Sequence, residues 1–97
     1  MSQGGVLADT RANLWRGAIS VGGRLTLTSE LLSFRAHALN VRAEPLDLPV
    51  ADIASVGKYR SMGLIPNGLV VSMTSGAEYR FVVARRDRFI AAVESQR

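Results

Sequence analysis

The stretch that decides the fold is Gly68-Leu69-Val70-Val71-Ser72-Met73-Thr74-Ser75-Gly76-Ala77-Glu78-Tyr79-Arg80-Phe81-Val82-Val83, which runs directly into Ala84 to Ser95. Side chains alternate across a strand, so Leu69, Val71 and Met73 share one face, as do Tyr79, Phe81 and Val83 after the break. Thr74 to Ala77 make a tight connection in which Gly76 supplies the positive φ that hairpin turns demand. The pair is therefore antiparallel. Beyond Ala84 the apolar period becomes that of a helix, with Phe89, Ile90 and Val93 on one face and Arg88, Glu94 and Gln96 facing away. A helix of about a dozen residues is not stable alone in water. Its stripe is expected to cover the sheet as a lid.

From the N-terminus, Val6 to Val21 reads as one irregular strand with Trp15, Gly17, Ile19 and Val21 on its core side, broken by a turn at Gly22-Gly23. Leu25 and Leu27 then alternate with Arg24, Thr26 and Thr28, and Leu32, Phe34 and Ala36 share a face beyond Ser29-Glu30, which makes a second hairpin. His37 to Glu44 reads as a connection. Leu46 and Leu48 form a short strand that Pro45 and Pro49 confine to a sheet edge or its ends. Asp52 to Arg60 is a further strand and Ser61 to Gly68 a loop. The expectation is a mainly β chain of seven short antiparallel strands with one C-terminal helix, arranged as two packed sheets or a partly closed barrel. Its core includes Leu25, Leu27, Phe34, Leu69, Val71, Phe81, Ile90 and Val93.

Ninety-seven residues suffice for one core, so residues 1–97 are read as a single domain whose first five residues fray. The absence of cysteine excludes disulfides, thiolate metal sites and cysteine nucleophiles. No apolar run approaches the roughly 20 residues of a membrane span, and the N-terminus carries neither a secretory signal nor, with Ser2, a myristoylation motif. The expected location is cytoplasmic, at most peripheral on the inner membrane face. The net charge of +4, with eleven arginines and one lysine, is compatible with an anionic partner. Nucleic acid is set aside: there is no basic helix face, helix-turn-helix or RNP-type strand.

Ala12-Asn13-Leu14-Trp15-Arg16-Gly17, Val21-Gly22-Gly23-Arg24-Leu25-Thr26-Leu27-Thr28, Leu32-Ser33-Phe34, Lys58-Tyr59-Arg60, Ile65-Pro66-Asn67-Gly68-Leu69 and Tyr79-Arg80-Phe81-Val82-Val83 before Arg86-Asp87 occur in an order that resembles a GRAM domain, from about Ala12 to Val93. The resemblance implies a pleckstrin-homology-like seven-stranded bent barrel capped by the helix. It further implies a non-enzymatic module, here standing alone, that binds membrane lipids, often phosphoinositides, or proteins. No cofactor is implied. At Arg85 the chain departs from the helix-capping Asn that the family often has, which leaves the helix start less well capped.

Four groups of residues carry candidate chemistry. His37 is the sole histidine, so a triad or metal cluster would have to run through it alone, and a solvated loop residue is the simpler reading. Asp47 and Asp52 could meet across the bend at Pro49 as paired carboxylates, but no geometry is imposed on them and surface charge is the simpler reading. Arg85, Arg86 and Arg88 crowd the positive end of the helix dipole. Arginines and free amides there would hold a phosphate, whereas the Arg86-Asp87 pattern favours a local ion pair. Lys58 and Arg60 share a strand face and lead into Met62, Gly63, Leu64 and Ile65, a basic stem with an apolar tip suited to docking on an anionic membrane. Arg24, Arg35 and Arg42 are additional lipid-site candidates. The reading is a non-catalytic module for anionic phospholipid headgroups; the alternative is a protein-interaction module that self-associates or docks a peptide at a barrel edge.

Overall fold

In the computed structural model, residues 5–17, 19–37, 45–61, 63 and 65–97 are described. Seven strands, β1 (Ala8–Arg16), β2 (Ile19–Leu27), β3 (Leu31–Ala36), β4 (Leu46–Pro49), β5 (Ile53–Ser61), β6 (Ile65–Met73) and β7 (Glu78–Val83), precede the helix α1 (Arg86–Glu94). They form one antiparallel sheet in the order β4-β3-β2-β1-β7-β6-β5. This sheet curls into a half-barrel. Its concave face holds the core: Leu14, Leu25, Leu27, Leu32, Phe34, Leu69, Val71 and Phe81 are each at most 1% exposed. Phe89 and Val93 of α1 are buried with them, and Ile90 packs at the border.

The β6–β7 turn is as expected from sequence. The Gly76 N–H donates to Met73 O at 2.9 Å and the Met73 N–H to Ala77 O at 2.8 Å, with Gly76 at φ +96°. In the second hairpin the Thr28 hydroxyl accepts from the N–H groups of Glu30 and Leu31, a side-chain-made turn. Short β4 is an edge strand.

Three expectations are corrected. The first concerns Val6 to Val21, which is two strands: β1 and β2 pair from Ala8↔Leu27 to Arg16↔Ile19. The turn lies at Gly17, which has φ +63°. Gly22-Gly23 is not a turn at all but sits inside β2. A Cβ on Gly23 would lie 2.2 Å from Arg35 O and 2.7 Å from the Phe34 ring, so the glycine admits a close approach of β3. The second is Trp15, which is not in the core. It lies one residue after inward Leu14, on the opposite face, 37% exposed, and Ile19 at the hairpin end is 67% exposed. The third is the Ser61 to Gly68 loop, because β6 already begins at Ile65. Gly68 is again a glycine of close approach: the Tyr59 ring lies where its Cβ would be, and the phenol donates to Phe81 O at 3.2 Å.

These two glycines give a contrasting test. Gly23→Ala drives a methyl into fixed backbone and should destabilise the domain by at least about 2 kcal/mol. Gly22→Ala meets nothing closer than 3.9 Å and should change stability by less than about 0.5 kcal/mol. Urea denaturation of the two variants checks this, and equal losses would contradict the packing.

Candidate functional site

The chain leaves β7 at Val83 and turns at Arg85, which has φ 54° and ψ 46° and gives the helix no side-chain cap. It is the sole non-glycine with positive φ among the described residues. For a residue with a Cβ that left-handed conformation costs about 1–2 kcal/mol, and Asn or Gly tolerate it best. The turn delivers four consecutive charged residues with different fates. Arg86, whose side chain is 12% exposed, donates to the backbone oxygens of Tyr59 at 3.2 Å and Gly68 at 3.5 Å. It also meets Asp87 at 3.3 Å, and Asp87 meets Lys58 at 3.1 Å. The hydrogen bond from Lys58, then that from Arg86, holds the Asp87 carboxyl below its ordinary range. Its contribution to stability is therefore present above the unfolded carboxylate pKa, near 4, and is lost as pH falls through the lower folded value. Arg85 and Arg88 have no side-chain partner among the described residues.

Arg85 and Arg88 line an open groove of about 570 Å³ on the convex side of β1 and β7. Arg11 and Asn13 of β1 form its other wall, with Pro66 and Asn67 of β6 at one end. Arg11 too has no side-chain partner among the described residues. The Asn67 side-chain oxygen Oδ1 is buried and meets no donor among the described residues.

Register extends this charge across the sheet. Arg11 pairs with Arg24, and Arg24 with Arg35. All three alternate with inward side chains, so they form a row on the convex face at the roughly 5 Å spacing of neighbouring strands. Like charges directly opposite are unfavourable, and two of the three are compensated: Arg24 by Asp9 at 3.3 Å, Arg35 by Asp47 at 3.0 Å. The hydrogen bond from Ser33, then that from Arg35, lowers the Asp47 pKa.

The expected site residues are thus redistributed. Lys58 is tied to Asp87, whereas Arg60 is exposed and has no side-chain partner among the described residues. Ile65 is 49% exposed. Arg42, Met62 and Leu64 lie outside the described residues. Arg24 and Arg35 stand with Arg11, on the convex face, not with Lys58 and Arg60. Asp47 is engaged by Arg35, and His37 is exposed, its N–H donating to Gly22 O. Arg11 is not legible as a site residue in the sequence; only the β1–β7 pairing, Ala12↔Val83 with the Ala84 N–H donating to Arg11 O, brings it to the helix start.

The model of the GRAM domain family matches residues 3–95. The chain belongs to the GRAM domain family. Membership makes it a membrane-lipid or protein interaction module by family. Among curated proteins, none matches. A solved structure described as the C-terminal domain of an unknown protein from Leishmania infantum is similar at 19% identity and a TM-score of 0.83, covering 96% of this chain and 84% of that one. At that identity the likeness concerns the fold. Among the described residues of this GRAM domain no helix is long and apolar enough to cross a membrane.

Arg86 and Arg88 separate an anchoring arginine from a surface one. Arg86→Ala removes two charge-assisted bonds to backbone carbonyls and should cost about 2–3 kcal/mol. Arg88→Ala should stay within about 0.5 kcal/mol of the parent. Comparable urea midpoints for both variants would refute the anchoring role of Arg86.

Proposed function

We propose that this GRAM domain is a non-catalytic module that docks peripherally on anionic membranes, with phosphoinositide-type headgroups as ligands. The observation that supports it is unbalanced charge beside exposed apolar surface. Arg11, Arg60, Arg85 and Arg88 have no side-chain partner among the described residues, and Ile65 stands half-exposed on the hairpin that Arg60 precedes. Each cation near an anionic leaflet contributes about 1 kcal/mol, and an apolar side chain entering the interface adds to that by burial. Lys58 contributes less than Arg60, because Asp87 offsets its charge. Met62 and Leu64 remain part of the proposed tip, and Arg24, Arg35 and Arg42 of the wider basic surface.

Docking of a peptide or second copy at a sheet edge has less support. β4 is flanked by Pro45 and ends at Pro49. On the other edge strand, β5, arginine side chains already occupy carbonyls at both ends, Arg97 at Ile53 and Ala54 and Arg86 at Tyr59.

Co-sedimentation with vesicles of phosphatidylcholine alone, or with added phosphatidylserine or phosphoinositide, tests the reading. The parent should bind the anionic vesicles at low salt. Lys58→Ala with Arg60→Ala should weaken binding by up to about thirtyfold, about 2 kcal/mol, with Arg60→Ala the larger part and Ile65→Ser adding to it. A parent protein that ignores every anionic vesicle would transfer support to the protein-interaction reading.

A further inference from the structure

We infer that the groove between β1 and the start of α1 is a discrete site for the phosphate group of a phosphate ester, built by Arg11, Arg85 and Arg88. This deepens the membrane reading and rests on it only for the lipid as source of the ester. The groove holds about 570 Å³, within the range of small-molecule sites. Its cations come from two elements, Arg11 from β1 and Arg85 and Arg88 from the helix turn, and so face a ligand from two sides. Guanidinium groups bind phosphate oxygens bidentately through charge-assisted bonds.

Counting charge selects phosphate over carboxylate. Four arginines and one aspartate line the groove, and that aspartate is held by Lys58 and Arg86. Three guanidinium groups are left for the ligand, which suits a group carrying about −1.5 to −2 better than a single negative charge.

Arg85 is poorly explained by stability. It combines a left-handed backbone, a cation at the positive end of the helix dipole and no side-chain partner among the described residues. The first two oppose folding, and all three are consistent with a residue retained for an anion.

Titration calorimetry at low salt with inositol trisphosphate and with inorganic phosphate tests the site without a membrane. Binding of inositol trisphosphate, tighter than inorganic phosphate, is expected. Arg11→Gln and Arg88→Gln should each weaken it at least about tenfold without shifting thermal melting. Arg85→Asn should lose affinity about tenfold while melting about 4 °C higher; a purely structural arginine would not separate the two. Absence of heat from inositol trisphosphate at millimolar concentration, or binding indifferent to Arg11→Gln and Arg88→Gln, would overturn the site. Vesicles that bind while the soluble ester does not would overturn it and spare membrane docking. Soluble ester that binds while phosphoinositide vesicles do not would uphold the site and identify a free phosphate ester, not a lipid, as its ligand.

Discussion

The position of α1 depends on the guanidinium of Arg86. The sheet has two open edges, β4 and β5, and its concave face must be covered along the side where they do not meet. Phe89 and Val93 supply the apolar cover, but burial is non-directional and does not by itself fix where along β5 and β6 the helix begins. Arg86 does, by reaching carbonyls on both strands, and Arg97 grips Ile53 O and Ala54 O beyond the last turn. The helix is thus held at both ends by arginines donating to backbone oxygens. Once Arg86 is committed inward, its neighbours Arg85 and Arg88 are left on the groove side.

The convex face shows how the same residue type serves opposite purposes. A row of Arg11, Arg24 and Arg35 on adjacent strands would repel itself. Asp9 and Asp47 offset two of the three, and the uncompensated member is the one beside the helix turn. On the convex face the uncompensated charge therefore lies where β1, β7 and α1 meet. A net charge of +4 gives no hint of this, because it averages paired and unpaired arginines together.

What was legible in the sequence was local. The β6–β7 hairpin, with Gly76 at its turn, and the Phe89-Val93 stripe follow from period and turn chemistry within a few residues of each other, and both stand as read. Double glycine is the strongest turn signal before Arg24, yet Gly22-Gly23 lies mid-strand, because the demand on Gly23 comes from Phe34 and the Arg35 backbone across the sheet. With the turn at Gly17, Trp15 and Ile19 lie at the end of the β1–β2 hairpin and outside the core. The site failed to show for a related reason. Lys58 and Arg60 are two residues apart in sequence, whereas Arg11 reaches the helix turn only through strand order and register, which one-dimensional periodicity does not encode.

Arg85 stands at the helix entry in a left-handed backbone and without a side-chain cap. At a helix entry an Asn would relax the left-handed backbone and cap a free N–H, and it would remove a cation from the positive pole of the dipole. All three effects favour folding, so a chain selected for stability alone would not keep arginine there. Arg86, one residue later, shows that arginine is fully compatible with stability when its donors find carbonyls. The difference between the two is orientation: one side chain is consumed by the fold, and the other is held by the αL turn against the groove wall with its donors unspent. Local rules are broken most sharply where a surface has work other than folding, and in this domain that place is the wall of the groove.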